Sequence, residues 1–164
     1  MDGTTSQEWR GPLRAAMEFI KDHAAAVYDR YAPALVDDPE AALRESIRMF
    51  IDANPTAAEE AFLARHKVSD ENNQGKLLRL LEMQRAAQAT LTSCAWFFDD
   101  FGGPEGRIVL RWAARTEELA AEFVPSIEHE LLERLREVHS NRQEVGDAAT
   151  LYLSLKTREA RGRV

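Results

Sequence analysis

The sequence has a single cysteine, Cys94, among 164 residues, which excludes an internal disulfide. A chain without disulfides fits a reducing compartment, and we predict a cytoplasmic protein. The sequence also lacks an apolar run near the roughly 20 residues that span a bilayer. Its opening residues, MDGTTSQEWR, are too polar for a signal segment. No membrane partner is therefore predicted.

Basic residues are fewer than acidic residues, 21 against 28, and the formal net charge is −7. A nucleic-acid binder needs a concentrated basic surface, so no nucleic-acid partner is predicted. The basic cluster of the sequence lies at its end: Lys156, Arg158, Arg161 and Arg163. We interpret residues 159–164 as a solvated, disordered tail.

Strand patterns are almost absent, because no segment alternates apolar and polar residues over five positions with β-branched content. Apolar residues recur instead at helical spacing. Asp38-Pro39 and Asn54-Pro55 are typical helix starts, and Gly102-Gly103-Pro104 is a typical helix end. The sequence predicts an all-α bundle of six or seven helices in one domain, residues 9–158, after a disordered segment, residues 1–8.

The most apolar stretch runs from Lys76 to Phe101 and carries no formal charge between Ala86 and Phe98. Its apolar residues fall on more than one helical face, which is typical of a helix with neighbours on several sides. We therefore predict one central helix over about 76–101, with Cys94 as a small buried residue. Charge returns just beyond this stretch, so we expect its carboxyl-terminal tip to be solvated.

Motifs that carry common chemistries are missing from the sequence. There is no Glu-x-x-His pair for a di-iron site, and no P-loop, GxGxxG, GxSxG or HExxH motif. No Ser–His–acid set can be assembled from spacing, and no two carboxylates can be assigned as a catalytic pair. The sequence therefore predicts neither a metal nor a cofactor, and it leaves open whether the chain is an enzyme.

Six residues of the central stretch are candidates for substrate binding: Glu82, Gln84, Arg85, Trp96, Asp99 and Asp100. Gln84 falls on an apolar stripe, where a buried amide must be hydrogen-bonded, so it either locks the helix register or lines a polar cavity. On a continuous helix Trp96, Asp99 and Asp100 share one face. An aromatic ring beside carboxylates is typical of saccharide sites, although a core tryptophan with solvated acids has the same spacing.

The segment LLRLLEMQRAAQATLTSCAWFFDDFGG, residues 77–103, resembles a signature of glycoside hydrolase family 57 proteins. In one group of them it marks a helical domain of unknown function that follows the catalytic barrel. The matching residues are Glu82, Gln84, Arg85, Thr92, Ser93, Cys94, Trp96, Phe97, Phe98 and Asp99. Ala95 stands where the family usually has glycine. Pieces at 9–14, 38–44 and 140–147 match in the same order, so the resemblance covers most of the chain.

The resemblance implies a part in α-glucan metabolism, where such a domain closes over the barrel and a tryptophan-bearing helix reaches the substrate. By that analogy Trp96 and Asp99 face the sugar, and Arg85 fixes a carboxylate behind them. The barrel and its two catalytic carboxylates are missing from this sequence. We therefore predict an accessory domain that binds carbohydrate and acts with a catalytic barrel partner. The alternative is a non-catalytic interaction module that forms a homodimer through an apolar face.

Overall fold

The computed structural model describes the backbone of residues 6–162 and the side chains of residues 6–157. The helices are α1 (Arg10–Tyr31), α2 (Pro39–Ile51), α3 (Pro55–Arg65), α4 (Glu71–Ala89), α5 (Cys94–Phe97), α6 (Pro104–Ala120), α7 (Glu128–Arg136) and α8 (Ala148–Gly162). A short 3-10 helix, Ala32–Ala34, follows α1. The predicted all-α fold is confirmed. Parts of the predicted disordered ends, residues 1–5 and 163–164, lie outside the described residues, and that prediction stays a prediction.

Side chains at the predicted start signals cap α2 and α3. Asp38 Oδ1 accepts a hydrogen bond from the Ala41 amide at 2.9 Å, and Asn54 Oδ1 accepts one from the Ala57 amide at 3.3 Å. A proline follows each cap at the first helical position, where its missing N–H leaves nothing unsatisfied. Both predicted helix starts are therefore confirmed.

The central helix is shorter than predicted, because α4 ends at Ala89 and a turn separates it from α5. In that turn Thr90 Oγ1 donates to the Ala87 carbonyl at 2.7 Å, and Thr92 Oγ1 donates to the Ala89 carbonyl at 3.2 Å. Such bonds from side chain to backbone favour a helix end over its continuation. The prediction of one helix over 76–101 is therefore wrong beyond Ala89. The shortened α4 still packs against both α1 and α6.

The short helix α5 lies at the surface, although its sequence is free of charge. Ala95 is the buried side chain of this helix, whereas Cys94 is exposed and Phe97 is 81% exposed. The chain has turned before α5, so its apolar side chains no longer continue the core-facing stripes of α4. The prediction of a buried Cys94 is therefore wrong.

We expect Cys94 to react fully with an aromatic disulfide reagent while the protein is folded, because an exposed thiol is accessible to it. The absorbance of the released thiolate, measured at mildly alkaline pH, should correspond to one thiol per chain. The rate of the reaction should be similar to the rate measured with the unfolded protein. A reaction that requires denaturant would contradict the exposed position.

Buried apolar side chains form two clusters, and α1 and α6 contribute to both of them. The first cluster includes Leu13, Met17, Phe101, Leu110, Leu131 and Tyr152. The second includes Val27, Tyr28, Leu77, Leu80, Leu81 and Leu119. Residues of the amino-terminal part of α1 therefore share a cluster with residues of α6, α7 and α8, and those of its carboxyl-terminal part share one with residues of α2, α3, α4 and the end of α6. Direct contacts of α1 with other α-helices are mainly with α4, α6 and α7.

Glu117 of α6 is a buried carboxylate with 4% of its surface exposed. It accepts a hydrogen bond from Ser126 Oγ, and its Oε2 lies 3.8 Å from Lys156 Nζ. Lys156 also pairs with Glu128, so these charges join α6, α7 and α8. Burial, together with the two nearby carboxylates, raises the pKa of the Tyr152 hydroxyl in the same region. The buried charge is thus compensated by a cation and a hydroxyl.

Candidate functional site

Trp96 of α5 packs on the segment that leads into α1 and is only half exposed. Its ring is stacked on that of Trp9, with 6.2 Å between the ring centroids and 12° between the ring planes. Its Nε1 is buried and has no hydrogen-bond partner within residues 6–157. Trp96 lines none of the three hollows that the other candidate residues line. Its ring holds α5 in place through the stack on Trp9.

Trp96, Asp99 and Asp100 do not share a helix face, because α5 ends before both aspartates. The predicted arrangement of these three residues is therefore wrong. The backbone carbonyl of Asp99 accepts hydrogen bonds from Trp9 Nε1 at 3.2 Å and from Asn141 Nδ2 at 2.9 Å. Asp99 is thus fixed through its backbone. Its carboxylate is exposed and has no hydrogen bond to the side chains or backbone that the structure describes.

The carboxylate of Asp100 ties this segment to the loop between α7 and α8. It accepts hydrogen bonds from the Gly102 amide at 2.7 Å and from Ser140 Oγ at 2.8 and 2.9 Å. The Asn141 amide donates to it at 2.6 Å, and Arg142 Nη2 lies 3.4 Å from its Oδ1. The side chain is only 9% exposed. Because protein donors occupy both oxygens, Asp100 positions the loop.

The pKa of Asp100 is lowered even though burial, the largest single influence, raises it. Hydrogen bonds from the Gly102 amide, the Ser140 hydroxyl and the Asn141 amide favour the ionised carboxyl, and the charge of Arg142 adds to them. The charged carboxylate is therefore the form that holds the loop in place.

An open hollow of about 520 Å³ lies beside this segment, and we call it the Phe98 hollow. Its lining includes Phe98, Asp99, Pro104, Glu105, Asn141 and Arg142. The ring of Phe98 is 45% exposed and meets the Phe97 ring edge-on at 5.3 Å. An exposed ring beside carboxylates and a guanidinium suits a polyhydroxylated ligand, because its C–H face can stack on the ring while its hydroxyls bond to the charged groups.

Glu82 and Arg85 lie on a different part of the surface, where α4 faces α6. Glu82 Oε1 accepts hydrogen bonds from Arg115 Nε at 2.9 Å and from Arg115 Nη2 at 2.8 Å. The guanidinium of Arg85 lies over two rings, 4.9 Å from the Phe50 centroid and 5.3 Å from the Trp112 centroid. A hollow of about 480 Å³, the Trp112 hollow, is lined by these α4 and α6 residues. The six candidate residues thus do not form one site.

Gln84 faces α1 and is 7% exposed. Its Nε2 donates to the Ala24 carbonyl at 2.7 Å, which satisfies the buried amide and links α4 to α1. Gln84 also forms part of the lining of a hollow of about 280 Å³ between α2 and α4. The hydrogen bond fits the interpretation that Gln84 locks the helix register, whereas the hollow beside it is lined largely by apolar side chains and is not the polar cavity of the alternative.

Several residues at these sites were not selected from the sequence: Phe98, Glu105, Asn141, Arg142, Trp112 and Arg115. Asn141 and Arg142 lie in the segment 140–147, which is one of the pieces that match in the resemblance. This match is a signal in the sequence that could have selected them. Arg142 is more than 40 positions from Asp100, however, and spacing alone gives no reason to pair them. Trp112 fits the apolar stripe of α6, so nothing in the pattern marks it as half exposed.

Two kinds of feature are absent from the described part of the chain. Within it, no three residues among histidine, cysteine, aspartate and glutamate are placed to hold a metal ion. None of its helices is long and apolar enough to cross a membrane.

Comparison with known proteins identifies a family for almost the whole chain. No curated protein and no solved structure gives a significant match. A family model described as "Domain of unknown function (DUF3536)" matches residues 6–160. This confirms the coarser part of the resemblance, a helical domain of unknown function, and leaves its glycoside hydrolase part untested. The chain belongs to the DUF3536 family of domains of unknown function.

Proposed function

We propose that this chain is a non-catalytic accessory domain that holds an α-glucan in the Phe98 hollow and acts with a catalytic barrel partner. The proposal rests on one observation, the exposed Phe98 ring next to the exposed carboxylate of Asp99 in a hollow of about 520 Å³. Among the described residues that carboxylate has no hydrogen-bond or ion-pair partner. The resemblance to the helical domain of glycoside hydrolase family 57 proteins supports the choice of an α-glucan. Its single cysteine supports a cytoplasmic location.

The proposed roles differ from those that the resemblance gave to single residues. Phe98 supplies the ring that stacks on the sugar, and Asp99 accepts hydrogen bonds from its hydroxyls. Trp96 supports α5 through its stack on Trp9, and Asp100 holds Asn141 and Arg142 at the rim. In this proposal the hollow only binds the saccharide. The catalytic carboxylates belong to the partner, because no two carboxylates of this chain can be assigned as an acid–base pair.

The proposal is tested by isothermal titration of maltoheptaose into the wild type, Phe98→Ala and Asp99→Asn. We expect each substitution to weaken binding about tenfold, because one removes the stacking surface and the other a charge-assisted acceptor. Both residues are exposed, so circular dichroism should show an unchanged fold.

Phe97→Ala is the matched control, because Phe97 is 81% exposed and does not line the Phe98 hollow. Its affinity for maltoheptaose should equal that of the wild type. Equal affinity of all four proteins, or no binding by the wild type, would contradict a saccharide site at Phe98.

A further inference from the structure

Helix α2 presents an apolar stripe to solvent in addition to its buried face. Leu43, Ile47 and Ile51 are 36%, 54% and 74% exposed, and their spacing of four places them on one side of the helix. Leu43 and Ile47 line the hollow of about 280 Å³ together with Leu81 of α4. The outer face of a helix in a self-contained bundle is normally polar, so this stripe indicates an apolar partner.

Arg85 lies between that hollow and the Trp112 hollow and lines both of them. Its guanidinium is held against the rings of Phe50 and Trp112, and its side chain remains exposed. Within residues 6–157 it has neither a hydrogen-bond nor an ion-pair partner. Arg115, which lines the Trp112 hollow too, is by contrast paired with Glu82 and Glu118.

A guanidinium that lies over two aromatic rings suits one kind of ligand group. Contact of its planar face with aromatic rings leaves the N–H groups at its edge free, and their fork geometry matches a carboxylate. Since the rings already restrict the Arg85 side chain, less conformational entropy is lost when a carboxylate binds.

We infer that the Arg85 face, formed by Leu43, Ile47, Phe50, Arg85, Ile108 and Trp112, binds a helical segment of another protein that carries a carboxylate between large aliphatic side chains. The aliphatic side chains pack against Leu43, Ile47 and the exposed Ile108, and the cation between them takes the carboxylate, which is the pattern of an amphipathic helix in a groove. A second copy of this chain fits less well, because two molecules with a formal charge of −7 repel each other. The inference is independent of the Phe98 hollow.

The test is selection from a display library of random helical peptides on the wild-type protein. We expect enriched peptides to carry Asp or Glu about three or four positions from Leu, Ile or Phe. Arg85→Gln should weaken their binding about tenfold to hundredfold, because a charge-assisted pair is lost. Arg79→Gln is the control, since Arg79 is also exposed on α4 but pairs with Glu122, and it should leave their affinity unchanged.

Three outcomes would overturn the inference. They are enriched peptides without an acidic residue, equal affinity for the wild type and Arg85→Gln, and no enrichment at all. A concentration-dependent dimer that Arg85→Gln dissolves would assign the face to a second copy and would overturn it too. Maltoheptaose binding is measured separately at Phe98, so failure of one proposal does not imply failure of the other.

Discussion

Gly106→Ala is expected to destabilise the protein by about 3 kcal/mol or more, although alanine is the better helix former. Gly106 lies in the first turns of α6, where the backbone of Phe101 passes directly over it. A Cβ atom at Gly106 would lie 1.8 Å from the Phe101 carbonyl oxygen and 2.7 Å from its carbonyl carbon. Both atoms are backbone, so the clash cannot be relieved by a side-chain rotation.

The clash would displace the backbone at Phe101. This residue is fully buried and packs against Trp9, with 6.0 Å between the ring centroids. Moving its backbone away from α6 disturbs this packing and the neighbouring Asp100. The measurement is urea unfolding followed by circular dichroism, with the free energy of unfolding obtained by linear extrapolation.

Gly11 and Gly75 provide matched controls, because both are helical and a Cβ atom at either position meets nothing within 4 Å. Gly11→Ala and Gly75→Ala should raise the free energy of unfolding by up to about 1 kcal/mol through helix propensity. If Gly106→Ala also raised it, the close approach of Phe101 to α6 would be refuted.

Asp100→Asn is expected to lower the free energy of unfolding by about 2–4 kcal/mol at neutral pH. The substitution removes the charge and puts an NH₂ group where amide and hydroxyl donors converge. At least one donor among Gly102, Ser140 and Asn141 is then left without an acceptor in a site that is 9% exposed. The loop between α7 and α8 should loosen, and with it the rim of the Phe98 hollow.

The pH dependence of stability gives a second readout for Asp100. Its folded pKa lies below the ordinary value of 3.8, so its contribution to stability is fully present well above that value. The contribution decreases from about pH 5 downward and is lost as the pH falls through the folded pKa. The difference in stability between the wild type and Asp100→Asn should therefore shrink in acid.

Asp99→Asn is the control for both readouts, because the Asp99 carboxylate is exposed and has no hydrogen bond within the described residues. Its free energy of unfolding should stay within about 0.5 kcal/mol of the wild type. A difference between the wild type and Asp100→Asn that stayed constant from pH 7 to about pH 3 would show that the charge of Asp100 does not hold the loop.

Local signals explain why the starts of α2 and α3 could be predicted. Asp38-Pro39 and Asn54-Pro55 act within one turn of chain, so their effect on α2 and α3 does not depend on the rest of the fold. The buried, bonded Gln84 likewise followed from its place on an apolar stripe. The caps are local interactions, since each joins residues three positions apart, whereas only the burial of Gln84 followed from the sequence and its partner Ala24 is 60 positions away.

The central helix ends earlier than the sequence predicts, because a lack of charge does not imply burial. Residues 86–98 are uncharged, yet Cys94, Phe97 and Phe98 are exposed once the chain turns at Thr90. The run of threonines and serine at 90–93 is a signal for that turn, since hydroxyl side chains compete for helical carbonyls. Apolar side chains that bind ligands cannot be told from core residues by composition.

The candidate sites depend on contacts that are distant in sequence. Asp100 meets Ser140, and Arg85 meets both Phe50 and Trp112. No periodicity brings these residues together, because the packing of separate helices decides which side chains meet. The sequence could therefore supply Asp99 and Arg85 as candidates but not the three hollows that they line.

The two apolar clusters share α1 and α6, and this has a consequence for how the protein opens. Leu13 and Val27 belong to different clusters but to one uninterrupted helix, and the same holds for Leu110 and Leu119. Loss of packing in either cluster therefore disturbs α1 and α6, on which the side chains of the other cluster also pack. We therefore expect the two clusters to unfold together in one cooperative transition, while loops at the surface can still open locally.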